Sequence, residues 1–234
     1  MRVTDVVPGV QRMWFPGLDN NAYLLRDAEP TLIDCGPPRS ATPLLAHLRS
    51  LRMQPGDVRH IAVTHCHTDH TGQLADIAQA TGATVYAHAV DARIIRAGAE
   101  RPRGNAHGVV GAVMRAMARR PSRADAAAVG VEIDDGQELP AAGGLRCLHT
   151  PGHTAGHMSF LWPQGGVLFV GDAAANMLHR LDIAPLNEDD EAARTSFRRL
   201  AELEFAHACF GHGSPIKGRA VAAFRRKVER LAGL

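Results

Sequence analysis

Cysteine is scarce in this chain of 234 residues: Cys35, Cys66, Cys147 and Cys209 stand far apart, and no C-x-x-C pair occurs. That spacing argues against a disulfide framework, and an intracellular chain would keep such thiols reduced. An excess of one charge is also lacking. Lys and Arg number 26 against 24 Asp and Glu, a net charge of +2. The two signs are interspersed, so there is no basic footprint for nucleic acid and a phosphodiester substrate is disfavoured. No stretch approaches the roughly 20 apolar residues of a membrane span. Nor is Met1-Arg2-Val3-Thr4-Asp5 followed by the apolar segment of a secretory signal. The expectation is a cytoplasmic protein that meets neither membrane nor nucleic acid. At 45% hydrophobic and 21% charged residues, the length suits one well-buried domain over residues 1–234.

What the chain does have is a concentration of metal-competent side chains. After the apolar run Ile61-Ala62-Val63 comes Thr64-His65-Cys66-His67-Thr68-Asp69-His70-Thr71-Gly72. Imidazoles and carboxylates are costly to bury unpaired, so four of them at the mouth of a predicted strand point to a shared cation. His65 and His67, two apart in an extended segment, face one side and can grip one ion. Asp69 and His70 open the next turn and can reach a second. Cys66 lies between the ligands, but the same alternation turns it away, so it is not expected to act as a nucleophile.

Hydrophobic patterning organises the rest. Residues 1–35 alternate turns, including Pro16-Gly17-Leu18-Asp19-Asn20-Asn21, with short apolar runs, the pattern of an antiparallel meander. A one-sided helix is predicted from Ser40, its N-cap, to Met53, and another from about Gln73 to Thr81, stopped by Gly82. Strands are predicted over 59–64, 83–88, 145–149, 157–162, 167–170 and 205–210. Helices are predicted over 188–203 and from about 216 to 231. Residues 173–187 read as a loop forming one wall of a cleft. His88, His149 and His157 read as structural. The strand and helix alternation gives an α/β layer arrangement. It is interrupted by a helical insertion at about 91–130, where Val109, Val113, Met114 and Met117 share a helical face that could cover the cleft and hold the apolar part of a substrate.

Four motifs in order, H-x-H-x-D-H at 65–70, Pro151-Gly152-His153-Thr154-Ala155-Gly156-His157, Val170-Gly171-Asp172 and Phe210-Gly211-His212-Gly213, resemble the metallo-β-lactamase fold superfamily in its glyoxalase II and lactonase-like branch. The resemblance implies an αββα sandwich, two mixed sheets flanked by helices. It also implies two divalent ions, zinc first, with iron or manganese as alternatives. His65, His67 and His153 would hold one ion and Asp69, His70 and His212 the other, with Asp172 bridging. Asp34, ending an apolar strand, matches the family's acidic residue beneath the metals, where hydrogen bonds orient the ligand loop.

A water between two such cations loses a proton near neutral pH, and the resulting hydroxide is the expected nucleophile. Asp69 could orient that water or pass a proton to the leaving group. The expected activity is hydrolysis of a carboxylic ester, thioester or lactone in a small-molecule substrate. Alternatives are a mononuclear iron persulfide dioxygenase, a β-lactam hydrolase and a non-catalytic binding protein. Within the resemblance, the run Ala173-Ala174-Ala175-Asn176 departs from lactonases that carry a Tyr after the bridging Asp. The short segment after His212 departs from glutathione-specific enzymes.

Overall fold

The computed structural model describes all residues except 18, 39–40, 100–103, 105–123 and 234. The chain opens with β1 (Arg2–Val7), β2 (Val10–Phe15), β3 (Asn20–Leu25) and β4 (Thr31–Ile33), antiparallel neighbours as the meander pattern predicts. β5 (His60–Ala62), β6 (Thr84–His88) and β7 (Val131–Ile133) then add in parallel, which requires crossovers. α1 (Thr42–Ser50) makes the first. The short α2 (Thr68–Thr71) and α3 (Leu74–Thr81) make the second, and α4 (Ala89–Ala97) begins the third. Gly82 ends α3 in the left-handed conformation, as its position suggested. Ser40 lies outside the described residues. So do Val109, Val113, Met114 and Met117, with the helix predicted around them.

The second half runs through β8 (Glu138–Leu139), β9 (Leu145–His149), β10 (Met158–Trp162), β11 (Val167–Gly171), β12 (Ala175–Met177), β13 (Arg180–Asp182), α5 (Asp190–Ala201), β14 (His207–Phe210) and α6 (Ala220–Leu231). Among the described residues, strands β1 to β7 form one sheet in sequence order. β14-β11-β10-β9-β8 form a second, and β12 and β13 form a separate hairpin. That hairpin corrects the loop expected over 173–187. Its strands are three residues long and its turn places Leu178 and His179 at φ 51° and 59°, so neither periodicity nor a Gly or Asn turn signal announced it. Asn20 and Asn21, read as turn residues, begin β3 instead.

Strand alternation explains the four layers. Along β3, Tyr23 and Leu25 face the second sheet while Ala22 and Leu24 face the first pair of crossover helices. Along β11, Val167 and Phe169 face the first sheet while Leu168 and Val170 face α5 and α6. Three apolar layers result: helix on sheet, sheet on sheet, and sheet on helix. This is the αββα sandwich. α5 starts cleanly because Asp189 accepts hydrogen bonds from the Glu191 and Ala192 amides at 2.9 Å, with Asp190 and Glu191 in its positively polarised first turn. The four cysteines are buried in the sheet layers, Cys35 and Cys66 on the helix side of the first sheet, Cys147 and Cys209 between the sheets. Among the described residues, no helix is long and apolar enough to cross a membrane.

Phe160 sits wholly buried between the sheets. Phe160→Ala should lower unfolding free energy by roughly 3–5 kcal/mol through lost transfer energy and the cavity left behind. Urea denaturation would register this as a lower midpoint at constant slope; a loss below about 1 kcal/mol would contradict the inter-sheet packing.

Candidate metal centre

The site gathers at one edge of the sandwich, where β4, β5, β9, β11 and β14 all deliver their following loops. Ending a strand here is what lets polar residues leave the hydrogen-bonded sheet and still be held from below. Asp34, just past β4, adopts φ 59°, a conformation that Asp tolerates better than most residues. Its Oδ1 accepts the Thr64 amide at 2.8 Å. Its Oδ2 accepts the Thr64 hydroxyl at 2.7 Å and His70 Nδ1 at 2.8 Å. These bonds determine two tautomers. His70 donates from Nδ1, so its Nε2 faces onward, 3.6 Å from Asp172 Oδ1 and 3.9 Å from Asp69 Oδ2. The Thr64 hydroxyl, having donated to Asp34, accepts from His65 Nδ1 at 3.0 Å. Among the described residues, His65 Nε2 is left buried with no hydrogen-bond partner.

A second relay lies behind Asp172. The Asp172 amide donates to His157 Nε2 at 2.8 Å, which obliges His157 to donate from Nδ1 to the Thr150 hydroxyl at 2.8 Å. The Ser159 hydroxyl donates to the Val170 carbonyl, so Thr150 donates to Ser159 at 3.0 Å. His157 is therefore structural, as its place in the sequence suggested, yet it touches the backbone of the central carboxylate. Gly171 has φ 58° and a Cβ there would meet His157 Nε2 at 2.6 Å. A Cβ on Gly211 would collide with Asp172 Oδ1. Both positions require glycine because the carboxylate and its supports approach the backbone so closely.

The His212 loop is braced from β3. The Asn21 side-chain amide donates to the carbonyls of Phe210 and Gly213 at 2.9 and 2.8 Å, while Tyr23 donates to Phe210 at 2.7 Å. Asn20 places its amide 3.3 Å from His70 Nε2. Sequence reading missed these residues. The available signal was the pair of amides opening an otherwise apolar strand, a costly choice unless both are used.

All seven residues expected to ligate come together. His65, His67 and His153 form one cluster, Asp69, His70 and His212 another, and His65, His70 and Asp172 a third that joins them, with ligand atoms within 4.8 Å in each. Asp172 Oδ2 lies 3.4 Å from His153 Nε2 and 3.3 Å from His212 Nε2, and Asp69 Oδ2 lies 3.3 Å from His212 Nε2. Ligands bonded at 2.0–2.2 Å to a tetrahedral cation stand roughly 3.3–3.6 Å apart, so these separations suit shared ions.

The electrostatics agree. Burial, reinforced by neighbouring imidazoles, holds His65 well below the ordinary histidine pKa, and burial also lowers His153; both thus keep lone pairs available. Burial would likewise depress His70, but the carboxylates of Asp172 and Asp34 prevail and raise it to about 10. Burial would raise Asp172, but His212 and His70 hold it well below the usual carboxylate range. Without metal the pocket draws protons onto His70 and His212, whose place a cation can take, and it offers that cation neutral nitrogen at His65 and His153 and anionic oxygen at Asp172. With His65 Nε2 orphaned among the described residues, this donor set fits divalent metal. Cys66 packs into the helix-side core, away from the cluster.

Comparison with known proteins bears on family and fold. The family model described as the Metallo-beta-lactamase superfamily matches residues 16–212. The probable metallo-hydrolase YflN of Bacillus subtilis is 27% identical, over 91% of this chain and 86% of that protein. The thioesterase pkgB of Emericella nidulans is 30% identical, and the hydroxyacylglutathione hydrolase of Rhodobacter capsulatus 31%. The alignments take in 75% and 66% of this chain but only 40% and 48% of those proteins. Among solved structures, the metallo-beta-lactamase family protein TTHA1429 of Thermus thermophilus superposes with a TM-score of 0.71 at 27% identity, covering 98% of this chain and 80% of that one. The metallo-beta-lactamase SMB-1 gives 0.71 at 22% identity, with 100% and 97% covered, a likeness of fold alone.

Burial and the nearby His153 depress His157 to about 3, whereas an unfolded histidine titrates near 6.5. Because the unfolded state binds the extra proton, this group's stabilisation is present above about pH 6.5 and lost as pH falls toward 3, by about 1.4 kcal/mol per pH unit. His157→Gln should flatten the stability profile of metal-free protein by that slope between pH 6 and 3. Parallel profiles for variant and wild type would contradict a buried neutral His157.

Proposed function

Because the chain belongs to the metallo-beta-lactamase superfamily, we propose that it is a metal-dependent hydrolase acting on a carboxylic ester, thioester or lactone of a small molecule. One observation carries this reading: the Asp172 carboxylate lies between His70, His153 and His212, at the junction of two three-residue donor clusters. His65, His67 and His153 would hold one divalent ion, Asp69, His70 and His212 the other, and Asp172 both. Zinc suits this imidazole and carboxylate set, as do iron and manganese. Such ions, when bound, polarise a carbonyl and make water acidic enough to attack near neutral pH.

The protein's own part is to fix the donors and manage protons. Asp34 holds His70 directly and His65 through Thr64, each in the tautomer that leaves Nε2 for a ligand. Asp69 stands 3.3 Å from His212 and 3.9 Å from His70 through one oxygen. Its carboxylate is the group to orient an attacking water or carry a proton to the leaving group. No side chain need act as nucleophile, and Cys66 faces the core. The names of two relatives, a thioesterase and a hydroxyacylglutathione hydrolase, support the thioester end of this range.

Elemental analysis should find two divalent ions per chain. Asp172→Ala should loosen both and His212→Ala chiefly one; equal loss in the His212 variant would refute the assignment. Against a panel of esters, thioesters and lactones, Cys66→Ser should retain most activity, while Asp69→Ala loses about a hundredfold or more. A Cys66→Ser protein that keeps its metals but is inactive would overturn water as the nucleophile.

A further inference from the structure

The ligand motif 151–157 continues past His153 with Thr154, Ala155 and Gly156, residues that no metal role explains. Their explanation lies on α4. Asp91, in the first turn of that helix, is wholly buried. Its Oδ2 accepts the Cys66 amide at 2.9 Å and the Thr154 hydroxyl at 2.8 Å. Gly156 passes so close that a Cβ there would collide with Asp91 Oδ1. One carboxylate thus joins the peptide between His65 and His67 to the side chain that follows His153.

We infer that Asp91 is a positioning residue: with Thr154 and Gly156 it forms a latch that sets the separation of the His65/His67 loop from the His153 loop. It thereby prepares one of the two metal positions and not the other. The inference rests on the reading that these three histidines share an ion. Three arguments support it. A carboxylate is very costly to bury, and Asp91 is held by a charge-assisted bond from each loop, so its position is dictated by both. Its place in the first turn of α4 adds the favourable end of the helix dipole and anchors it to a rigid element. The other cluster has a separate support, since Asp34 holds His70 and β3 braces the His212 loop. Loss of Asp91 should therefore be felt selectively.

The test uses zinc alone, titrated into the full chain against a chromophoric chelator, in two single-site backgrounds. In His212→Ala, which keeps the His65, His67 and His153 cluster, adding Asp91→Ala should weaken zinc binding by roughly 10–100-fold, the usual cost of losing an outer support. The cobalt(II) absorption spectrum of that site should change as well. In His153→Ala, which keeps the other cluster, the same change should alter affinity by less than about threefold. Thr154→Val should weaken the first site, and Thr154→Ser should restore it. Unchanged zinc affinity in the first background, or equal losses in both, overturns the latch while leaving the hydrolase reading intact. Should Asp91→Ala fail to fold, the Thr154 pair decides: Thr154→Val binding zinc like wild type overturns the proposal. A wild-type chain that binds no zinc overturns the metal reading and the latch with it.

Discussion

Every feature of the site answers to the cost of burying carboxylates and imidazoles together in the rim of an apolar sandwich. Asp34 is where that cost is first met. Three donors converge on its carboxylate, and the loop carrying four candidate ligands is thereby attached to the end of β4. Without these bonds a left-handed Asp34 and a buried, uncompensated anion would oppose folding. With them, local strain and desolvation are offset by charge-assisted hydrogen bonds, and the ring orientations of His65 and His70 follow as a consequence.

The layered fold makes such convergence attainable. Strands that alternate their side chains between two apolar layers can be buried on both faces only if their polar residues are pushed to the strand ends. Here those ends meet at one edge. Backbone bonds between sheets tighten the meeting: the Met158 amide donates to the Thr64 carbonyl at 2.7 Å, and the Asn21 amide donates to the Gly211 carbonyl at 2.8 Å. Each links a ligand-bearing loop of one sheet to the other, so the two halves of the donor set are positioned mutually.

The imidazoles divide into two classes although their residue type is the same. His65, His153 and His157 are kept neutral by burial, while His70 and His212 are drawn toward the protonated form by the carboxylates beside them. An interior that stabilises protons at one end and refuses them at the other has an unmet demand for positive charge that divalent ions answer.

Much of this was legible in the chain itself. The H-x-H-x-D-H spacing, the Asp after an apolar strand and the glycine-flanked histidines are local signals. The first names four ligand candidates by spacing alone, while His153, Asp172, His212 and the supporting Asp34 were named through the motifs that resemble the metallo-β-lactamase fold superfamily. The meander, α3 with its Gly82 stop and the amphipathic α5 were readable from local patterning as well. Tertiary structure alone decided what depended on residues far apart: Asn20 reaching His70 and Asn21 bracing the His212 loop rather than forming a turn, Asp91 meeting Thr154, and a hairpin where periodicity suggested a loop. A buried polar side chain takes its meaning from the partner that satisfies it, and for Asp91 and Thr154 that partner lies 63 positions away.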